Sequence, residues 1–224
     1  MTNFTNLARA LVGVETPRLT LRAALPVDGW DLYDATQHES FNRFLSWSKP
    51  SDPYQAVARM EAISRAHQLG EICALSAIHR ETDRWVALFR FLPYRPDPGI
   101  VEASLWVHSD FHHDSIGWEL TRALVDKAFE VTAMPLMLAA SCQENRPAQR
   151  LLLSCGFTYH SIVPRPHEEG FPLPLFEYRQ THDEWLRTME TRVTELKPTA
   201  SRVQDGARTP EAANRAAFKA VAGR

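Results

Sequence analysis

Cysteine is scarce in this sequence: Cys73, Cys142 and Cys155 are the three that occur among 224 residues. Three thiols cannot all pair with one another, and their spacing does not match that of a metal site. The histidines scattered between His79 and His182 add no mixed Cys/His pattern. We therefore expect no bound metal, and reduced thiols favour a cytoplasmic protein.

Long apolar runs and a secretory pattern are also missing. No apolar stretch approaches the roughly 20 residues of a membrane span, so we expect no membrane partner. Residues 1–14 mix polar side chains with Leu7, Leu11 and Val12, which predicts at most a short amphipathic segment. An apolar content of 44% and a charged content of 23% suit one globular domain with additions.

Charge is distributed unevenly along the chain. From Lys197 onward six basic residues face two acidic ones, a net charge of +4, so the preceding part of a chain with net charge −2 carries −6. An acidic body binds nucleic acid poorly and suits cationic amines as ligands. The basic tail could contact RNA or an acidic partner, or it could be a solvated segment rich in Ala, Pro and Gly.

Hydrophobic periodicity predicts an alternation of strands and helices. A first strand at 18–23 precedes a helix from Pro26 and a longer helix from Ser51 to Leu69. Further strands are predicted at 72–79, 85–92, 100–108, 136–141, 158–163 and 173–179, and further helices at 115–131, 145–154 and from Thr181. This order predicts an α/β fold, a mixed and mostly antiparallel central sheet with helices on both faces.

The segment 104–157 is the most informative part of the chain. Its turn, Asp110 to Gly117, connects a strand directly to a helix. Such a turn offers unpaired backbone N–H groups and the positive end of a helix dipole, which suits a bound diphosphate. Together with Glu144-Asn145-Arg146-Pro147 and Cys155-Gly156-Phe157, this order resembles the acyl-CoA-binding half of the GNAT superfamily of N-acetyltransferases.

The resemblance extends over about residues 18–179. The opening Thr16-Pro17-Arg18-Leu19-Thr20-Leu21-Arg22 and the strand Glu102-Ala103-Ser104-Leu105-Trp106 are most similar to the Rim-type ribosomal-protein N-terminal acetyltransferases. It implies a GNAT-like domain at 1–180. A helix at 181–197 carries an apolar stripe that should pack on this body or on a second subunit, as in a homodimer. Residues 198–224 are predicted to be a basic, mobile tail.

The resemblance implies acetyl-CoA as the cosubstrate, bound at the turn. The family pattern Gln/Arg-x-x-Gly-x-Gly/Ala corresponds to His112, Ser115 and Gly117, with Ile116 between the last two and His113 where another glycine is often found. Side chains at His113 and Ser115 restrict positive φ and crowd a phosphate. The histidines could instead donate hydrogen bonds to phosphate. A capped surface turn without a ligand is the alternative interpretation.

Glu102 is the candidate base. Alternation places Glu102 and Trp106 on one face of their strand, where a carboxylate faces either solvent or a polar cleft. The resemblance to the family's strand glutamate favours the cleft, where Glu102 would take the proton of the attacking amine, directly or through water. Backbone N–H groups near Trp106 and Val107 would bind the thioester oxygen. An exposed glutamate without a catalytic role remains the alternative.

Other site residues follow from the resemblance less directly. Asn145 contacts the pantetheine arm of CoA in relatives, but as a plain N-cap it needs no cofactor. Leu152 stands where many relatives have a tyrosine that protonates the leaving thiolate, so Ser141 or Tyr159 could serve instead. Aromatic residues lie where Rim-type relatives form a substrate wall, although they could be ordinary core; they are Trp30, Phe44 and Trp47.

We therefore expect an acetyl-CoA-dependent N-acetyltransferase. Its first candidate acceptor is a protein N-terminal amine, and its second is a small-molecule or antibiotic amine. The alternative is a GNAT-fold binding or regulatory protein with weakened catalysis, which the glycine-poor turn and the missing tyrosine would fit. Glu102, Gly117 and Asn145 favour the enzyme.

Overall fold

The structure of the protein is a computed structural model. It describes residues 3–44, 47–94, 97–132, 134–165 and 173–196. The tail predicted at 198–224 and most of the proline-rich loop near residue 170 lie outside these residues.

Seven strands, seven α-helices and two 3-10 helices lie in the described part of the chain. The strands are β1 (Leu19–Ala23), β2 (Cys73–His79), β3 (Trp85–Tyr94), β4 (Asp97–Val107), β5 (Leu136–Cys142), β6 (Thr158–Arg165) and β7 (Leu173–Thr181). The helices are α1 (Phe4–Leu11), α2 (Gly29–Thr36), α3 (Glu39–Asn42), α4 (Pro53–Gln68), α5 (Ile116–Val131), α6 (Arg146–Ser154) and α7 (His182–Leu196).

All seven strands belong to one sheet, in the order β1-β2-β3-β4-β5-β7-β6. Neighbouring strands pair antiparallel except β4 and β5, which run parallel because α5 carries the chain back across the sheet between them. This arrangement confirms the predicted mixed, mostly antiparallel sheet.

Apolar side chains form a core on each face of the sheet. On one face, the core includes Leu7 of α1, Leu120 of α5 and Phe89 of β3. On the other face it includes Leu32 of α2 and Met60 of α4. Helices therefore cover both faces, as the sequence predicts.

Two short helices were not predicted as such. In α1 the buried residues Phe4, Leu7, Ala8 and Leu11 repeat at helical spacing, and the Asn3 side chain caps the helix by accepting a hydrogen bond from Asn6 N. The helix α3 is a single turn, Glu39–Asn42, in a part of the chain where no helix was predicted. Both are short, so their apolar periodicity spans too few turns to stand out in the sequence.

Helix α7 packs on α5 through one tryptophan. Trp185 is buried, its ring stacks on Phe129 with centroids 5.6 Å apart, and its Nε1 donates to Asp126 Oδ1 at 2.9 Å. Thr181 and Glu184 form a capping box at the start of the helix. Trp185 thus contacts the body of the same chain, while the predicted homodimer and domain boundaries stay predictions.

The chain divides into a unit of residues 1–189 and a unit of residues 190–224. Of the second unit the structure describes the last helical residues, up to Leu196. None of the helices in the described part has the length and apolarity that a bilayer crossing requires.

We predict that Trp185→Ala lowers the free energy of unfolding by about 3–5 kcal/mol, because it removes a buried aromatic ring and leaves a cavity. Leu186→Ala, on the exposed side of the same helix, should change it by less than about 0.5 kcal/mol. Chemical denaturation of both variants measures the difference. Equal stability of the two variants would contradict the packing described for α7.

Candidate active site

The parallel strands β4 and β5 separate partway along their length. They pair at Val101↔Met137, Glu102↔Leu138 and Ala103↔Ala139. Beyond these pairs, β4 continues to Val107 and β5 continues to Cys142 without pairing to each other. The edge of β4 at residues 104–107 therefore lies open towards β5, and its backbone groups there can bind a ligand.

The direction of the β4 amides decides which of them face this opening. His108 N donates to Val86 O at 2.8 Å, towards β3. Because N–H directions alternate along a strand, Trp106 N–H also faces β3, whereas the N–H groups of Leu105 and Val107 face the open side. Of the two amides predicted from the sequence, Val107 is thus the one directed into the opening, and Leu105 joins it.

Glu102 lies one residue before the strands separate. It is half-buried and shares the α2–α4 face of the sheet with Ser104 and Trp106. Arg90, which pairs with Ser104 across β3 and β4, donates from Nη2 to Ser104 Oγ at 3.0 Å. Glu102 therefore lies on the same face of the sheet as the polar Ser104 and Arg90, and its charge acts on Arg90.

Two tryptophan side chains lie between two arginines on this face. The Arg90 Cζ lies 4.2 Å from the Trp106 ring centroid, Trp106 and Trp47 have centroids 5.1 Å apart, and the Arg59 Cζ lies 4.2 Å from the Trp47 centroid. We call these four residues the Arg–Trp ladder. Trp47 and Trp106 are buried in the core of this face. Trp47, predicted as substrate wall or core, is thus a core residue that packs on Trp106.

Burial and nearby charges shift the pKa of Arg90, one of the two arginines of the ladder. Burial lowers the pKa of Arg90 to about 10, Glu102 opposes this effect, and Arg59 adds to it. The guanidinium nevertheless remains protonated near neutral pH. A positive charge and the Glu102 carboxylate therefore lie on the same polar surface.

A second carboxylate was not identified from the sequence. Glu177 of β7 is buried, pairs with Ala140 across β5, and accepts a hydrogen bond from Tyr94 Oη at 3.0 Å. Alternation along β5 places Ala140 on the same face as Leu138, the partner of Glu102. No sequence spacing indicates this residue, because only the strand order places β7 beside β5.

The turn before α5 adopts a conformation that usually requires glycine. Ser115 has φ 59° and ψ 14°, in the left-handed region, where the family pattern has glycine. The N–H groups of Ile116 and Gly117 begin α5, so they have no acceptor inside the helix. These residues fit a diphosphate, because the backbone takes the glycine conformation although a serine is present.

Gly117 has a packing role in addition. A Cβ at this position would lie 2.9 Å from Leu151 Cδ1 of α6 and 3.5 Å from Val107 Cγ2 of β4. Glycine therefore allows the first turn of α5 to approach both elements closely. Its buried position lies on the inner side of the turn, away from solvent.

His112 holds the turn to the end of β4. Its Nε2 lies 2.9 Å from Val107 O, so this nitrogen carries the proton and donates. Burial lowers the pKa of His112, and the hydrogen bond to Val107 O opposes this effect without cancelling it. The lowered pKa favours the neutral ring. His113 and Asp114 are exposed on the same turn. His112 therefore positions the turn, and His113 is the better placed of the two to reach a phosphate.

The turn is also fixed from β1, an interaction that the sequence did not indicate. Arg18 Nη1 donates to Asp114 O at 2.7 Å, and Arg18 Nε donates to Glu119 Oε2 at 2.7 Å. Thr16 Oγ1 and Arg18 N donate to Glu119 Oε1. Although burial raises the pKa of Glu119, these hydrogen bonds lower it overall, so the carboxylate stays ionised.

Asn145 caps α6. Its Oδ1 accepts from Ala148 N at 3.2 Å, which is the plain capping role. Gln149, buried one turn later, donates to the carbonyls of Cys142 and Gln143 and so fixes the end of β5. A contact between Asn145 and CoA stays a prediction.

The two candidates for the general acid lie on the other face of the sheet from Glu102. Ser141 is buried and donates to Cys142 O at 3.1 Å, and its neighbour Cys142 faces the Glu102 side. Tyr159 is exposed and packs edge-on against Tyr178. Burial raises the pKa of the Cys142 thiol, so it is not an activated nucleophile. Within the described residues, no group of three or more His, Cys, Asp or Glu side chains could hold a metal ion.

We predict that Ser115→Gly raises the free energy of unfolding by up to about 1 kcal/mol, because glycine takes a left-handed backbone without strain. The same substitution at Ser154, in helix α6, should lower it by about 0.5–1 kcal/mol. Denaturation curves of both variants give the comparison. A destabilising Ser115→Gly would show that the backbone at residue 115 is not left-handed.

A protein-family model matches the part of the chain that contains this site. The family described as Acetyltransferase (GNAT) domain matches residues 18–158, which include Glu102, the opening between β4 and β5, and the turn before α5. No curated protein matches the sequence.

Solved structures share the fold at low sequence identity. A GCN5-related N-acetyltransferase from Brucella melitensis is 15% identical, with a TM-score of 0.68, covering 82% of this chain and 85% of its own. The ribosomal-protein-S5-alanine acetyltransferase from Vibrio fischeri is 12% identical, with a TM-score of 0.61 and coverages of 77% and 97%.

An aminoglycoside acetyltransferase in complex with coenzyme A is 16% identical, with a TM-score of 0.61 and coverages of 76% and 99%. Proteins named for different acceptors thus have the same fold, and the fold does not select among them. The match over residues 18–158 places the chain in a family: it belongs to the GNAT acetyltransferases.

Proposed function

We propose that this acetyltransferase moves an acetyl group from acetyl-CoA to a primary amine, first of all a protein N-terminal amine. The observation that carries the proposal is the separation of β4 and β5 after Ala103, the residue that follows Glu102. It brings backbone donors for a carbonyl oxygen and a carboxylate for an amine to one place in the sheet.

The backbone around this opening suits the cosubstrate. The unpaired amides at the start of α5 would bind the diphosphate, with the helix dipole favouring its negative charge. The amides of Leu105 and Val107 would donate to the thioester oxygen and stabilise the negative charge that develops there. Arg18 and His112 would hold the turn in place without touching the cosubstrate.

The acceptor side is served by Glu102. An amine is mostly protonated near neutral pH and becomes a nucleophile only after losing a proton. Glu102 would accept that proton, the amine nitrogen would form a bond to the thioester carbon, and the carbon–sulfur bond would break. The thiolate of CoA leaves readily and takes a proton from solvent or from an acid, for which Ser141 and Tyr159 stay predictions.

A small-molecule amine is the second candidate acceptor. The net charge of −6 before residue 197 favours amine-bearing ligands in general and does not separate the two classes. The cytoplasmic location that the sequence predicts stays a prediction.

We predict that Glu102→Gln lowers kcat by about 10²–10⁴-fold while leaving the dissociation constant of acetyl-CoA unchanged, because the base acts on the amine. Glu81→Gln is the matched control, since Glu81 is an exposed residue between β2 and β3. Thiol release with a panel of N-terminal peptides gives the rates, and calorimetry gives the affinity.

Two results would contradict the proposal. If Glu102→Gln turned over as fast as the Glu81→Gln control at every pH, the base would be a different residue. If calorimetry detected no acetyl-CoA binding by the wild-type protein even at millimolar concentration, the proposed cosubstrate would be wrong and the binding-protein alternative would be favoured.

A further inference from the structure

The Arg–Trp ladder presents hydrogen-bond donors beside Glu102. It stacks Arg59, Trp47, Trp106 and Arg90 in that order across the α2–α4 face of the sheet. Stacking on an aromatic face favours a planar guanidinium and keeps its N–H groups at the ring edges. The ladder therefore holds two positive charges in fixed positions near the candidate base.

Two of these donors lack an acceptor in the part of the chain that the structure describes. Arg90 Nε and Trp47 Nε1 are both buried and have no hydrogen-bond partner among the described residues. In the same part of the chain, Arg90 donates to Ser104 and forms no salt bridge within 4.0 Å. A buried donor without an acceptor is unfavourable, so a bound group that accepts a hydrogen bond from Arg90 would stabilise it.

The chemistry of these donors selects the group. A guanidinium has five N–H donors and no acceptor, and an indole has a single donor, so the bound group must supply acceptor oxygens. A carboxylate matches a guanidinium in both charge and planar geometry. The two carboxylates already on this face, Glu102 and Glu177, suit the positively charged amine end of an acceptor instead.

The spacing along β4 indicates how far apart the two ends of the acceptor lie. Ser104, to which Arg90 donates, is two residues beyond Glu102, about 7 Å along the strand. A free amino acid carries its amine and α-carboxylate on one carbon, which is too close together. An acidic side chain at the second residue of a peptide spans the distance, because a peptide unit separates it from the amine.

We propose that the acceptor is a peptide N-terminus with an acidic side chain at its second residue, whose carboxylate binds Arg90 while its amine faces Glu102. Arg90 is then the residue that determines specificity. This inference rests on the proposed acetyl transfer and names its substrate class. It disfavours polycationic acceptors, which the ladder repels.

The test compares acceptors that differ only in charge. Acetylation of a peptide beginning Ser-Glu is compared with that of the same peptide beginning Ser-Gln, and free glutamate and an aminoglycoside are two further acceptors. We expect kcat/KM to be about tenfold to a hundredfold higher for the Ser-Glu peptide, the effect of a hydrogen bond between charged groups.

Variants assign this preference to the ladder. Arg90→Met should bring the ratio of the two peptide rates close to one, and Arg90→Lys should keep part of it, because the charge remains but the planar fork is lost. Arg122→Met is the control, since Arg122 lies over Trp118 in a similar contact on α5. It should keep the wild-type ratio. A ratio measured on one enzyme preparation does not depend on how much of it is folded.

Several outcomes would overturn the inference. Equal rates for the two peptides, or a ratio that Arg90→Met leaves intact, would remove Arg90 from specificity while acetyl transfer stands. Faster acetylation of free glutamate than of the Ser-Glu peptide would show that the acceptor is an amino acid. Acetylation of none of the acceptors would overturn both the specificity and the proposed acceptor class.

Discussion

The site depends on one constraint, the short pairing of two parallel strands. β4 and β5 share three residue pairs and then separate, so the open edge of β4 keeps backbone donors that a continuous sheet would satisfy. Glu102 is the middle residue of the three that pair with β5, and Val107 ends the unpaired part of β4. The proposed base, the proposed carbonyl donors and the helix that follows β4 are therefore placed by the same strand.

A turn with few glycines can still take the required shape when other contacts hold it. Ser115 adopts a left-handed backbone that serine does not favour. Arg18 ties the adjoining Asp114 carbonyl to Glu119, and His112 binds Val107 O. These contacts offset the strain at Ser115, so the loss of glycine from the family pattern does not abolish the conformation.

Local patterns in the sequence predicted the sheet, the helices on both faces and the turn, because burial and capping act over a few residues. Contacts between distant residues could not be predicted in this way. Arg18 and Glu119 are 101 residues apart, and the contact of Arg90 with Trp106 depends on the register of β3 and β4. Likewise, the face of Ser141 and the direction of the Trp106 amide follow from strand pairing, which no single segment reveals.

The central claim is that the thioester of acetyl-CoA binds in the opening between β4 and β5. Backbone amide resonances followed during titration with acetyl-CoA test it most directly. The account predicts that the amides of Leu105 and Val107 shift and saturate together with those of Ile116 and Gly117, whereas Trp106, whose N–H faces β3, shifts less. Saturable binding that leaves Leu105 and Val107 unchanged would contradict it.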